Sequence, residues 1–149
     1  MAQRASFNLN DGTLPTAVAR TFDPVLNAEA PNVIEWVCRA PSDAIGFHRI
    51  KLKWTPGKAA PASPAGTNPR VLHKLEVWVV RPLLDITAPA SGTGVQPVVS
   101  KNGDVQSKHI FYLPEHAVKQ ALRDGVAFAR GFLGLQLVFD AVVDFNPPY

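Results

Sequence analysis

The stretch from Leu133 to Tyr149, LGLQLVFDAVVDFNPPY, decides the fold because it is too apolar to leave one face in water. On an α-helix its apolar side chains cover most of the circumference. Only Gln136, Asp140 and Asp144, spaced four apart, form a thin polar stripe. Such a helix must be buried on nearly all sides, yet it is shorter than the roughly 20 apolar residues that cross a bilayer. A second surface therefore has to cover it.

The composition indicates one globular domain rich in strands and loops. The 149 residues include 46% apolar residues, 14 prolines, 10 glycines and one cysteine. A chain of this length can bury a core of its own. A single cysteine excludes an internal disulfide, and Cys38 lies in an apolar run that predicts its burial. From the chain length we expect residues 1–149 to form one domain. The first twelve residues lack the apolar segment of a signal peptide, so we expect a protein that is not secreted.

Positive charge is concentrated in the middle of the chain. The segment Arg39–Arg81 holds eight basic and two acidic residues, whereas the remainder holds seven basic and ten acidic residues. A basic middle beside a slightly acidic remainder favours a polyanionic partner such as a nucleic acid.

The first part of the chain predicts antiparallel strands. Residues 5–22 contain two short alternating runs around Asn10-Asp11-Gly12, which indicates a hairpin. Three further strands are predicted in NVIEWVCRAP (32–41), FHRIKLKWTPG (47–57) and RVLHKLEVWVVRPLL (70–84). The proline-rich segment KAAPASPAGTNP (58–69) is predicted to be a loop.

The second part of the chain predicts an insertion and then two helices. Residues 85–113 are interpreted as an insertion with an extra hairpin, whose Asn102-Gly103 turn should tolerate a short inserted peptide. Pro114 is placed at the start of the first helix, and Gly131 with Gly134 separates that helix from the terminal one. The first helix carries its apolar stripe at Val118, Leu122, Val126, Ala129 and Leu133. Strands first and helices last predict an α+β fold, with an antiparallel sheet covered on one face.

Period-two alternation gives the sheet two chemically different faces. In the strand of residues 47–57, Ile50, Leu52 and Trp54 share one face and the basic residues share the other. The polar face is predicted to bind RNA through Arg39, Arg49, Lys51, Lys53 and Lys74, with Glu35 and Glu76 accepting hydrogen bonds from base amino groups. Neighbouring strands lie about 4.8 Å apart, so such cations repel each other unless an anion lies on them. Phe47 and Trp54 fall on the core side, so no stacking platform is predicted from them.

Catalytic and metal-binding chemistry has little support in the sequence. The four histidines, His48, His73, His109 and His116, lack metal-ligand spacing. There is no nucleophile motif and no phosphate-binding glycine loop. Asp140 and Asp144 are interpreted as the polar stripe of an apolar helix and not as a catalytic pair. We therefore predict no enzymatic activity, no metal, no cofactor and no membrane partner.

The closing motif LQLVFDAVVDFNPPY, preceded by a first helix and by strands in this order, resembles the coat proteins of the single-stranded RNA bacteriophages, the leviviruses. The resemblance covers residues 32–84 and 114–149. It implies a levivirus coat-protein-like fold and an intertwined homodimer. In that dimer the two sheets join edge to edge, and each chain's helices cross the partner's sheet. Val138, Val142 and Phe145 would then lie in the dimer interface.

The same resemblance implies a function. It implies a capsid protein that assembles into an icosahedral shell in the host bacterial cytoplasm, packages single-stranded genomic RNA and resides in the virion. Binding of an RNA hairpin as a translational repressor belongs to the same expectation, as do contacts between dimers through residues 58–69. The positions at which relatives hold a base fall near Glu35, Val37 and Leu72, so we expect contact governed by charge. The alternative is a non-viral nucleic-acid-binding module that uses the same basic face.

Overall fold

The computed structural model describes residues 5–25, 32–41, 44–58, 71–86 and 99–145. The strands are β1 (Phe7–Asn10), β2 (Ala19–Val25), β3 (Val33–Cys38), β4 (His48–Thr55), β5 (Leu72–Ile86) and β6 (Val99–Pro114), with a 3-10 turn at Ala44–Gly46. The helices are α1 (Lys119–Leu133) and α2 (Gln136–Val143). The order of strands before helices confirms the predicted α+β class.

The chain divides into two compact units. One contains Met1–Gly57 and His73–Tyr112, and holds the sheet; the other contains Lys58–Leu72 and Leu113–Tyr149, and holds both helices. That residues 1–149 act as one domain stays a prediction. The predicted loop at 58–69 lies outside the described residues except for Lys58, as does the closing Asn146–Tyr149.

The six strands form one antiparallel sheet in which sequence neighbours are also spatial neighbours, in the order β1 to β6. The ladder pairs Glu35 with Lys51, Lys51 with Trp78, and Lys53 with Glu76. On the opposite face Trp36 pairs with Ile50, which in turn pairs with Val79. Since residues directly opposite one another share a face, the predicted separation of apolar and charged faces on β3, β4 and β5 is confirmed.

The apolar face carries the core of the sheet unit. Phe22, Cys38 and Ile50 are buried there, and Cys38 is only 1% exposed, as predicted. Phe7 stacks on Phe22 with ring centroids 5.6 Å apart, and Trp36 meets Phe7 edge to face at 5.5 Å. The N-terminal hairpin thus contributes aromatic rings to the core, in arrangements that aromatic pairs prefer.

The predicted N-terminal hairpin is confirmed, and Asp11 organises its connection. Its carboxylate accepts hydrogen bonds from the backbone N–H of Val18 at 2.9 Å and of Thr13 at 3.1 Å, and pairs with Nε of Arg20 at 2.9 Å. These bonds, the one from Val18 foremost, hold the pKa of Asp11 far below its usual range. The ionised carboxylate therefore stabilises the hairpin.

A pH titration of stability should report this carboxylate. Because its pKa is lower in the folded state, Asp11 contributes stability above its usual value of 3.8, and that contribution is lost as the pH falls through and below that value. We expect Asp11→Asn, which keeps an acceptor oxygen but cannot titrate, to flatten the dependence of Tm on pH between about 5 and 2. An unchanged slope would show that Asp11 does not couple to folding.

The predicted hairpin at Asn102-Gly103 is wrong, because β6 runs through both residues without reversing. A hairpin there would pair two short runs with each other, whereas β6 is the hydrogen-bonded neighbour of the 15-residue β5. Lys101 and Asp104 form an ion pair at 2.7 Å although they are three residues apart. A peptide inserted at this point would interrupt β6.

Two helix boundaries also differ from prediction. Pro114 ends β6 and does not begin α1, which starts at Lys119 after a turn. Proline is as compatible with the end of an edge strand as with a helix start, and β6 continues to residue 114. Gly131 lies inside α1, so Gly134 alone marks the break before α2.

In the described part of the chain no single helix has the length and apolar character of a membrane span. The pair α1 and α2, bent by 54° at the break between them, meets both criteria only when the two helices are taken together.

Candidate nucleic-acid interface

The polar face of the sheet collects the cations predicted from the sequence. Side chains on this face come from neighbouring strands at matching positions: Arg49, Lys51 and Lys53 on β4, Lys74 and Glu76 on β5, and Glu35 on β3. Arg39 lies one residue beyond β3 and is 3.8 Å from Asp23 of β2. We call this surface the cationic face.

Glu35 is a buried carboxylate beneath two cations. It is 7% exposed, and its Oε1 accepts from Nη1 of Arg49 at 3.3 Å while its Oε2 lies 3.8 Å from Nζ of Lys51. Lys51 is its direct cross-strand neighbour. Antiparallel pairing thus places the carboxylate where it offsets the repulsion between Arg49 and Lys51.

Glu76, two strands further along the sheet on β5, is likewise a buried carboxylate paired with two cations. It is 4% exposed, and its Oε1 lies 3.0 Å from Nζ of both Lys74 and Lys108. Hydrogen bonds from Lys74 first, and then from Lys108, lower the pKa of Glu76. Both glutamates therefore act as buried counter-ions that hold long cationic side chains in place.

This arrangement changes the interpretation of the cationic face. The sequence suggested that neighbouring cations would require a bound anion, but Glu35 and Glu76 already relieve part of their repulsion. The cationic ends remain accessible, with Arg49, Lys74 and Lys108 between a third and a half exposed. Among the described residues Lys53 is exposed and has no carboxylate within ion-pair distance. Acceptance of hydrogen bonds from base amino groups by the two buried glutamates stays a prediction.

Two members of this surface were missed by the sequence analysis. Lys108 was assigned to the insertion with an extra hairpin, and its position on β6, the strand beside β5, was not foreseen. Trp78 shares a face with Lys74 and Glu76 by its spacing, but only Phe47 and Trp54 were considered as stacking residues. The ammonium of Lys108 lies 4.8 Å from the centre of the Trp78 ring. This distance is within the range of a cation–π contact.

The resemblance implies three positions at which relatives hold a base, and these positions differ in solvent exposure. Glu35 and Val37 are buried, whereas Leu72, at the first position of β5, is 45% exposed. Neither Val37 nor Leu72 has a side chain that can donate or accept a hydrogen bond. These two side chains therefore cannot hold a base by hydrogen bonds, which is consistent with RNA contact governed mainly by the charges of the cationic face.

The apolar side of the sheet unit has a cavity of about 450 Å³ beside the N-terminal hairpin. Arg20, His48 and Arg81 line it together with core residues. Partial burial, and then the nearby charges of Arg81 and Arg20, lower the pKa of His48. Within the described residues no group of three or more His, Cys, Asp or Glu side chains could hold a metal ion.

Comparison with known proteins places this fold in a structural class. No protein-family model and no curated protein matches the chain by sequence. An antiparallel sheet followed by two C-terminal helices is, however, found in solved proteins of phage particles. The chain is similar to the virus-like particle protein of bacteriophage ESE058, with 19% identity, a TM-score of 0.83 and 99% coverage of both chains.

Two other solved structures show the same similarity. The virus-like particle protein of bacteriophage NT-214 is 25% identical, with a TM-score of 0.74 and coverage of 99% of this chain and 100% of that one. The capsid protein of bacteriophage GA is 14% identical, with a TM-score of 0.64 and coverage of 98% and 97%. The chain therefore has the fold of the single-stranded RNA phage coat proteins, and the predicted resemblance is confirmed.

Proposed function

We propose that this protein is a capsid protein that dimerises, assembles into a closed shell and packages single-stranded RNA. The observation that carries the proposal is similarity in fold over essentially the whole chain to proteins of phage particles. Three features of the chain itself support it: two helices without buried residues, a long open sheet edge and the cationic face.

The helices support dimerisation because the isolated chain leaves them apolar and uncovered. Neither α1 nor α2 has a buried residue. Phe128, Phe132 and Phe139 are each more than half exposed. Contiguous exposed apolar surface on a folded chain marks an interaction site. A second copy of the chain is the partner that an isologous interface provides.

The residues predicted for the dimer interface lie on this uncovered surface. Val142 is 62% exposed and Phe145, just beyond α2, is 88% exposed, whereas Val138 is partly covered. Phe145 also has a positive φ of 52°, which is uncommon for a bulky residue outside a turn. Contacts of these side chains with a partner chain are part of the proposal.

The sheet edge offers a second contact for the same partner. β6 is the last strand of the sheet and spans 16 residues, whereas β1 at the opposite edge spans four. A long open edge presents a row of unpaired N–H and C=O groups that readily pair with another chain. Within the described residues, Oδ1 of Asp104 on β6 is buried without a hydrogen-bond partner. Pairing of two β6 strands about a two-fold axis would join both sheets and double the cationic face.

The cationic face would then contact the packaged RNA, mainly through phosphates. In this proposal the protein assembles in the host bacterial cytoplasm and acts in the virion. Binding of one RNA hairpin as a translational repressor would require additional contacts to bases.

Expression of the protein alone in bacteria tests this function. We expect megadalton particles with strong absorbance at 260 nm, which nuclease does not remove until the particles are disrupted. A non-viral nucleic-acid-binding module would elute as a monomer or dimer under the same conditions. That elution, over a range of protein and salt concentrations, would reject the capsid role and favour the module.

A further inference from the structure

Trp78 lies in the middle of the cationic face. The ladder places it directly opposite Lys51 on β4, and Lys108 of β6 lies over its ring. The other two of the three tryptophans belong to the apolar face, where Trp36 contacts Phe7 and Trp54 stacks on His73 with ring centroids 5.2 Å apart. Trp78 is thus the one tryptophan that shares a face with the cations.

The contact between Lys108 and Trp78 can be exchanged. The lysine is nearly half exposed, and a cation–π contact at such a site is weak. Glu76 would keep Lys74 at 3.0 Å if Lys108 moved away, so the buried carboxylate would not lose its only counter-ion. A phosphate near Lys108 would replace Glu76 as the partner of the ammonium, and Lys74 would remain with the buried carboxylate.

We propose that Trp78 stacks on an unpaired base of single-stranded RNA while Lys51 and Lys108 contact the adjacent phosphates. The inference rests on the proposed function, because it requires RNA on the cationic face. Aromatic side chains interleaved with cations are the arrangement by which proteins bind single strands without strict sequence preference, since every base has a π face.

A preference for unpaired segments follows from this geometry. Bases in an A-form duplex are already stacked on each other and do not offer a face to a side chain, whereas bases in loops and single strands do. The cations alone would bind a backbone whether or not it carried bases. The two contributions can therefore be separated by changing the ligand.

The experiment compares two probes of equal length and charge, decauridylate and an abasic ten-residue oligonucleotide, with purified protein freed of packaged RNA. We expect the parent to bind decauridylate more tightly than the abasic probe, with quenching of indole fluorescence. Trp78→Leu should weaken decauridylate binding by about tenfold and abolish the quenching, while changing abasic binding less than twofold. Trp78→Phe, which keeps an aromatic face, should retain most of the preference for bases.

Other outcomes separate this inference from the proposed function. If Trp78→Leu binds decauridylate within twofold of the parent, or weakens both probes equally, Trp78 is not a stacking site. If Trp78→Leu does not fold, unchanged indole fluorescence of the parent at saturating decauridylate overturns the inference. Two outcomes would show that the cationic face does not bind RNA: the parent binds neither probe, or the Lys51→Ala, Lys53→Ala variant binds both probes as the parent does. Either outcome rejects the proposed RNA contact and, with it, the stacking role of Trp78.

Discussion

Replacing Val142 with Asp should abolish soluble protein. In the isolated chain Val142 is 62% exposed on α2, whose only polar side chains form the stripe on another side. If a partner chain covers this position, the new carboxylate is buried without a counter-ion, which costs several kcal/mol. A two-fold dimer would contain that carboxylate twice. The dimer should therefore weaken by about a thousandfold or more, and the uncovered helices should aggregate.

Size-exclusion chromatography and the soluble fraction after expression check this result. Gln136→Glu adds the same charge to the same helix, but at the exposed helix start, where negative charge is favourable. It removes the hydrogen bond that Gln136 donates to Asp140 and places two carboxylates four residues apart, which costs only about 0.5 kcal/mol. It should remain soluble and assemble. A folded, soluble monomer of the Val142→Asp variant would contradict an obligate dimer. Particles like those of the parent would contradict the placement of Val142 in the interface.

Replacing Lys51 and Lys53 together with Ala should leave the dimer folded and weaken RNA binding for all sequences alike. Both side chains lie on the cationic face, and Glu35 keeps Arg49 at 3.3 Å after Lys51 is removed. Each phosphate contact to a single strand contributes about 0.7 to the slope of log affinity against log salt. Four such contacts in a dimer predict a slope smaller by about 3 and an affinity about a hundredfold lower near 0.15 M salt.

Binding titrations at several salt concentrations, together with the RNA content of purified particles, measure this effect. Lys119→Ala with Arg123→Ala removes the same charge from α1, which contributes no residue to the cationic face, and should change the slope by less than one. If the double lysine variant packages as much RNA as the parent at physiological salt, the cationic face is only a solvated surface.

Local patterning predicted much of the fold correctly. The alternation in residues 48–55 alone assigned Ile50 to the core and Lys51 to the opposite face, because side chains of a strand must alternate. The first hairpin and both helices were also predicted. Asn102-Gly103 and Pro114 were misread because each is locally compatible with two structures. An Asn-Gly pair favours a turn, but a long partner strand beside it gives more hydrogen bonds to an extended chain.

The sequence by itself determined that the terminal helix needs cover on nearly all sides and that one sheet face is cationic, because both follow from side-chain spacing on a regular helix or strand. Only the tertiary structure decided which charges meet. Glu76 holds both Lys74 and Lys108, and Lys108 lies over Trp78, because β5 and β6 are neighbours and bring together residues that are 32 positions apart in the sequence, Glu76 and Lys108. Such cross-strand contacts depend on register, and register is set by the whole ladder and not by any one segment.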